Sequence, residues 1–389
     1  QIVEEALKHA QKTVERLSQI EFENELAWTF SMVSFIVLDA LDSGFFGEER
    51  GELISVVSSY LEKALGLSER IEDAYLQVFL RFALGWNVAM TEGDLQVVWK
   101  HVEKSLEQAK KSKDHFLIRG AYLALHWTAD LTADMEEDPD KQKERRKMSI
   151  QFAEESIRHG LLVCRYPDVS STYTAYLVDS YTKLAQAETN PQEKSAILRR
   201  GVEVGRKGSE YAQASGSQNA MNTIFHVLSK AILFLSELET DVNEKKKLLE
   251  EALELREKTI QISDQVYPPY SWNPGVFQNY LALIKAELAR MEKNGEKKRH
   301  LLEEAVSSME KCLEMCMKSV SKGVALAYNF PHLGRYHDWF GEILDQLYSI
   351  TRDEKVINRA IEVYQDAAQM YQKAGMPSSV AEAHWKAAR

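Results

Sequence analysis

The sequence predicts an all-α fold, a right-handed α-solenoid of about eight antiparallel helix hairpins. Three observations predict it. A small residue followed by a branched or long apolar one recurs at Ala6-Leu7, Ser55-Val56, Ser149-Ile150, Gly201-Val202, Ala252-Leu253, Ala305-Val306 and Ala360-Ile361, with His101-Val102 filling the one gap. The steps are 49, 46, 48, 52, 51, 53 and 55 residues, the fixed long period of a stacked array. Glycine and proline are sparse, 18 and 8 in 389 residues, so few helix interiors are interrupted. Apolar residues recur at three and four along most of the chain, the spacing of a buried helix face.

The elements follow in order. One set of helices carries the beat and is expected to begin near residues 2, 49, 94, 141, 191, 242, 296 and 353. A second set begins near 21, 71, 115, 168, 217, 274, 323 and 377. Asn190-Pro191-Gln192-Glu193 places an N-cap residue, a first-turn proline and a glutamate where a helix start uses them. Asp241 and Glu244 form a similar capping box, and Lys373-Ala374-Gly375-Met376-Pro377 reads as a glycine stop. Gly44, Gly93, Gly160, Gly216 and Gly295 are expected at the other breaks. The first set is amphipathic, as in Lys245 to Leu255. The second is more apolar and holds or borders six of the seven tryptophans, Trp28, Trp86, Trp127, Trp272, Trp339 and Trp385, with Trp99 the exception. The second set is therefore expected to form the more enclosed layer.

Ala360-Ile361-Glu362-Val363-Tyr364-Gln365-Asp366-Ala367 resembles the second helix of a tetratricopeptide repeat (TPR), with Ala360, Tyr364 and Ala367 in the small, aromatic and small positions. Ala381-Glu382-Ala383-His384-Trp385 is similar to the start of the following repeat, and Ala252-Leu253-Glu254-Leu255 and Ala305-Val306 echo the second-helix pattern. A TPR unit is about 34 residues, whereas these repeats are about 50, so each helix gains about two turns. The expected architecture is thus a TPR-like solenoid with an elongated repeat, with HEAT or armadillo arrays as the structural alternative. The resemblance implies that the first helix of each pair lines a concave face that binds peptides or proteins. By the phase of this chain, those are the helices of the second set.

Composition excludes several classes. Lys and Arg number 48 against 59 Asp and Glu, a net charge of −11, which disfavours broad nucleic-acid binding. No apolar run reaches the roughly 20 residues of a membrane span. Three cysteines, Cys164, Cys312 and Cys316, do not make a disulfide framework and suit a reducing cytoplasm. The chain starts at Gln1 rather than Met and ends at Arg389 inside a helical pattern, so residues 1–389 are expected to form a single array cut from a longer protein.

The densest functional-looking stretch is Tyr328 to Trp339. Leu333, Tyr336, Phe340, Leu344 and Leu347 share one helical face and are expected in the core. Arg335, Asp338 and Glu342 fall on the opposite face, where two carboxylates beside an arginine could hold a basic or polar ligand; a solvated face with local ion pairs is the competing reading. On that basis the pair Arg335→Ala and Asp338→Ala is expected to weaken binding while sparing stability. His332 and Trp339 belong to the same stretch. Tyr270 and Trp272 lie in the one proline-rich aromatic loop, Tyr267 to Pro274, either a binding loop or a stiff connector. Trp127, Tyr176 and Asn279 complete the candidate concave-face set, against a reading in which the aromatics fill the core. His332 and His337 are five apart, the wrong spacing for two metal ligands on one helical face, and Cys312 and Cys316 read as buried thiols. Lys141 to Lys147 holds five cations, either a phosphate contact or a solvated helix start. No phosphate loop, nucleophile elbow or metalloprotease motif is present. The expected function is a non-catalytic interaction or sensor module for a protein or peptide, without cofactor, metal, nucleic acid or membrane. The alternative is the regulatory region of a multidomain signalling ATPase, protease or kinase.

Overall fold

A computed structural model of the chain describes residues 12, 23–42, 50–91, 95–134, 136, 138–163, 167–267, 270–322 and 330–388. Among the described residues every regular element is helical. The first beat at Ala6-Leu7, the helix expected near residue 2, Cys164, Gly44, Gly93, Pro268, Pro269, Tyr328 and Asn329 lie outside them.

The helices fall into two compact units, Gln1–Asn190 and Pro191–Arg389. The first contains α1 (Glu23–Asp42), α2 (Arg50–Arg70), α3 (Ala74–Thr91), α4 (Leu95–Ser112), α5 (His115–Asp134), α6 (Pro139–Val163) and α7 (Pro167–Ala187). The second contains α8 (Pro191–Ser215), α9 (Gln218–Leu238), α10 (Val242–Val266), α11 (Asn273–Met291), α12 (Gly295–Ser321), α13 (Phe330–Thr351), α14 (Glu354–Lys373) and α15 (Pro377–Ala388). In each unit every helix packs on its sequence neighbours, giving stacked TPR-like hairpins. The aromatic set also touches across hairpins: α1 meets α3, α3 meets α5, α9 meets α11, and α11 meets α13. That set is therefore the more enclosed layer.

Local chemistry fixes the helix ends. Ser217, Asp241, Asn294 and Asp353 accept hydrogen bonds from backbone N–H groups of the first turns of α9, α10, α12 and α14. Gly375 stops α14 at φ +71°, and Met376 N–H closes back on the Tyr371 carbonyl at 3.0 Å. Pro331 sits in the first turn of α13, where its missing N–H costs nothing. Gly160 departs from expectation. It lies inside α6, and a side chain there would meet Arg119 of α5 at 3.3 Å, so it marks a close helix approach rather than a break.

Small residues of the beat make the seams of the stack. Ser149, Ala252, Ala305 and Ala360 are fully buried, and Gly201 is buried as well. The core of the second unit gathers Leu302, Met309, Leu333, Tyr336, Phe340, Leu344, Leu347, Val363 and Tyr364 together with Ala305 and Ala360. Cys312 and Cys316 are buried free thiols there, and burial raises Cys312 well above its ordinary value.

Candidate functional site

Three successive helices of the enclosed layer, α9, α11 and α13, line one groove of about 140 Å³ in the second unit. Its walls repeat with the fold. Leu233, Ala286 and Glu342 occupy one row, Phe234, Glu287 and Ile343 the next, and Glu237, Arg290 and Gln346 the third. Rows separated by one and three residues fall on one face of a helix, so each helix offers the same strip to the groove. Leu283 and Trp339 close the apolar side.

Leu233, Ala286 and Ile343 form a buried floor. The charged groups stand above it. Arg290 donates to Glu287 one turn away and, at 3.2 Å, to Gln346 of α13. Lys245 of α10 approaches Glu287 at 3.5 Å. Glu237 opens to solvent at the mouth of the groove, but the walls still hem in its carboxyl. That partial desolvation, followed by the proximity of Glu287, raises it above the ordinary carboxylate value. The groove thus offers an apolar floor, an indole wall and carboxylate acceptors, a combination that suits a side chain with an apolar stem and a donor head.

The structure gathers part of the sequence-predicted set here. Trp339 and Glu342 line the groove. Arg335 is exposed beside it, its guanidinium 6.0 Å from the Trp339 ring. Trp339 stacks on Tyr336 at 6.1 Å, Tyr336 stacks on Trp272 at the same distance, and exposed His332 lies 6.5 Å from Tyr336. These rings form a continuous ladder from the loop before α11 to the groove.

Other members of the set are elsewhere. Asp338 was expected on a free face but is buried. It accepts the Tyr371 hydroxyl of α14 at 2.8 Å and faces Lys386 of α15 at 3.6 Å. Burial raises its carboxyl, with the Tyr371 hydroxyl and Lys386 opposing. Lys386 also reaches Glu342 at 3.1 Å, so Glu342 serves the helix contact as well as the groove wall. Asn279 is completely enclosed in α11, and both polar atoms of its side chain lack hydrogen-bond partners, so it presents nothing to a concave surface. Tyr270 is exposed at φ +69°, with Lys318 and Lys322 over its ring at 5.1 and 5.7 Å. Trp127 and Tyr176 meet edge to face at 5.6 Å in the first unit, both half-buried.

The five cations of residues 141–147 are engaged within the chain. Lys141 faces Asp138, Lys143 pairs with Glu188, Arg145 lies over Trp99, Arg146 bridges Asp130 and Asp134, and Lys147 pairs with Glu144. Arg146 is buried, so this segment is not the uniformly solvated helix start that its charge suggests. Among the described residues no three His, Cys, Asp or Glu side chains are grouped to hold a metal ion, and no helix is long and apolar enough to cross a membrane.

Sequence reasoning missed Phe234, Glu237, Leu283, Glu287, Arg290 and Gln346. The available signal was their repeat spacing: Phe234, Glu287 and Ile343 are 53 and 56 residues apart, close to the period of the beat.

No family model matches the chain, and no curated protein matches it. Solved structures similar to it include a Rap protein complexed with competence and sporulation factor, at 11% identity and TM-score 0.49, covering 99% of this chain and 92% of that one. The apo form of RapI matches at 15% identity and TM-score 0.43, covering 79% of this chain and 92% of that one. A signal transduction ATPase with a tetratricopeptide repeat sensor, from Pyrococcus horikoshii, matches at 11% identity and TM-score 0.39; the match covers 98% of this chain and 52% of that protein.

Proposed function

We propose that the chain is a recognition module that holds a peptide or protein segment in the groove of α9, α11 and α13, without chemistry of its own. The observation that carries this reading is the convergence of one strip from each of three successive repeats on a single groove with an apolar floor and a carboxylate rim. A single hairpin offers one strip; stacking multiplies it into a surface long enough for an extended ligand. Trp339 supplies the large, rigid contact area that dominates recognition surfaces.

A phage-displayed library of random peptides, panned against the chain, tests the proposal. Enriched peptides are expected to lose about tenfold or more in affinity on Trp339→Ala and on Glu237→Lys. Glu237 is exposed, so the second variant reports on the groove even if the first disturbs the fold. Failure to enrich any peptide, or enriched peptides indifferent to both variants, overturns the proposal.

A further inference from the structure

Two histidines from neighbouring helices of the first unit face each other nitrogen to nitrogen. His115 opens α5 and is exposed, whereas His159, near the end of α6, is buried. Their Nδ1 atoms are 2.8 Å apart and their ring centres 4.9 Å apart. The two residues stand 44 positions apart in the chain, so no local spacing announces the pair. The helices that carry them are held closely at this point. Ser156 donates to the Arg119 carbonyl at 3.1 Å, and Gly160, next to His159, admits the Arg119 side chain to the seam. The Tyr122 ring backs His159 at 5.9 Å and 25° from parallel. Side chains on packed helices are placed more precisely than side chains on loops.

Partners fix the hydrogens of the pair. Arg158 donates to His159 Nε2 at 3.0 Å, so His159 carries its hydrogen on Nδ1 and donates it to His115 Nδ1. Burial, then Arg158, hold His159 below its ordinary value, which keeps the imidazole neutral near pH 7, the form that ligates a metal ion. Once that hydrogen moves to Nε2, both Nδ1 lone pairs converge on one point. Glu155 stands on the Nε2 side, 4.0 Å away, and already accepts from Arg158 at 2.6 Å. A carboxylate behind a ligating imidazole orients the ring and raises its basicity. The spacing selects the ion. An imidazole nitrogen sits about 2.0 Å from its metal. Two such bonds at right angles place the nitrogens about 2.8 Å apart, whereas a tetrahedral ion needs about 3.3 Å. The observed separation is the right-angle one, which suits copper(II) and nickel(II). The surroundings agree. Lys110, Lys113 and Arg119 stand nearby against Asp114, with no cage of carboxylate oxygens, so the pair selects by nitrogen coordination and not by charge.

We propose that His115 and His159 form a two-nitrogen chelate for a late first-row divalent ion of square-planar preference, copper(II) or nickel(II), with solvent completing the coordination on the open side of His115. The ion takes over the contact between the two Nδ1 atoms, the hydrogen of His159 passes from Nδ1 to Nε2, and Arg158 yields that nitrogen to Glu155. Bound there, the ion ties the start of α5 to the end of α6. The site is separate from the groove of the second unit and does not depend on that reading.

The probes are copper(II) and nickel(II) chloride, titrated calorimetrically into the metal-free full chain in a non-coordinating buffer, with magnesium and zinc chloride for comparison. The unaltered chain should take up one equivalent of copper or nickel with micromolar or tighter affinity. His115→Gln and His159→Gln should each weaken that equivalent by about tenfold or more, and Glu155→Gln by about tenfold. His300→Gln, at an exposed histidine of the second unit, should leave it unchanged. Nickel should raise the melting temperature of the unaltered chain and not that of His115→Gln. Because His115 is exposed, its variant keeps the test valid even if His159→Gln disturbs the fold, and circular dichroism checks both. Electron paramagnetic resonance of the copper-loaded chain should show coupling to two imidazole nitrogens that His115→Gln reduces to one or none. The absence of a micromolar equivalent, or equal affinity in His115→Gln, overturns the proposal. Tighter binding of zinc than of copper, or binding of magnesium, also overturns it, because the nitrogens would then not hold a right-angle chelate.

Discussion

Tyr371 donates its hydroxyl to Asp338 at 2.8 Å, and its ring lies where a side chain on Gly334 would stand, 2.6 Å from the position of that Cβ. One turn pair further along, Tyr364 donates to Asp345 at 2.8 Å and its ring fills the space over Gly341. The two tyrosines are seven residues apart on α14, the two glycines seven apart on α13, and each aspartate follows its glycine by four. Antiparallel helices thus lock at two identical seats, each a glycine floor with a carboxylate at its end.

Gly341→Ala tests the seat. In a free helix this change stabilises by roughly 1 kcal/mol. Here the new methyl group collides with the Tyr364 ring, whose hydroxyl is tethered, so overpacking should dominate and cost about 1–3 kcal/mol net. Thermal denaturation should show a lower melting temperature for Gly341→Ala, partly restored by Tyr364→Leu in the same chain. A rise in melting temperature for the single variant would show that the helices separate freely.

The same geometry reverses the expectation for Arg335 and Asp338. Arg335 is exposed and rests on Trp339, so Arg335→Ala should change stability by less than about 0.5 kcal/mol. Asp338→Ala leaves the Tyr371 hydroxyl without its acceptor and Lys386 without one of its carboxylates, a loss of about 1–3 kcal/mol. Urea unfolding of both single variants and the double variant should assign nearly the whole loss to Asp338. A stable Asp338→Ala chain would restore the free-face reading.

The helix order, the two layers and the core face of α13 were legible because they follow a 3.6-residue period, and Leu333, Tyr336, Phe340, Leu344 and Leu347 are indeed all buried. Asp338 was misplaced because a local period distinguishes two sides of a helix, whereas α13 is enclosed from further directions by α14 and α15. Its partners, Tyr371 and Lys386, lie 33 and 48 residues away, beyond any local pattern. The matched heptad spacing of glycines and tyrosines was the visible trace of that contact. The groove was half legible for a similar reason: Trp339 and Glu342 attracted notice as residue types, while Phe234 and Glu287 acquire meaning only when three repeats are aligned.

His337 adds a pH dependence. It is buried in α13, its Nδ1 meets no hydrogen-bond partner, and desolvation pulls its pKa down from 6.5 to about 4. Between those values the unfolded chain binds more protons than the folded one, so stability rises with pH across the window and is lost on acidification from about 6.5 towards 4. The full shift corresponds to about 3 kcal/mol from this one group. His337→Gln should flatten the fall in melting temperature between these limits relative to the unaltered chain. Identical acid sensitivity in both proteins would mean that other groups control it.

Arg146 and Lys183 meet at Asp130 and together tie three helices of the first unit, and removal of Arg146 should be among the costliest polar substitutions there. The guanidinium is buried in α6 and donates to the carboxylates of Asp130 and Asp134 on α5, and to the Asp130 carbonyl at 3.1 Å. Lys183 of α7 joins Asp130 from the other side and faces Asp179 at 3.4 Å. Desolvating these charges is tolerable only while they remain matched. Arg146→Ala leaves three carboxylates around one lysine and should cost about 3 kcal/mol or more, whereas Arg146→Met keeps the packing and should cost less. Because the guanidinium is enclosed, raising the salt concentration should narrow neither difference, unlike for exposed pairs such as Lys111 with Glu107. Denaturant midpoints at low and high salt check both statements. An Arg146→Ala chain as stable as the original, or one whose deficit disappears in salt, would mean that the network is solvated and carries little of the fold.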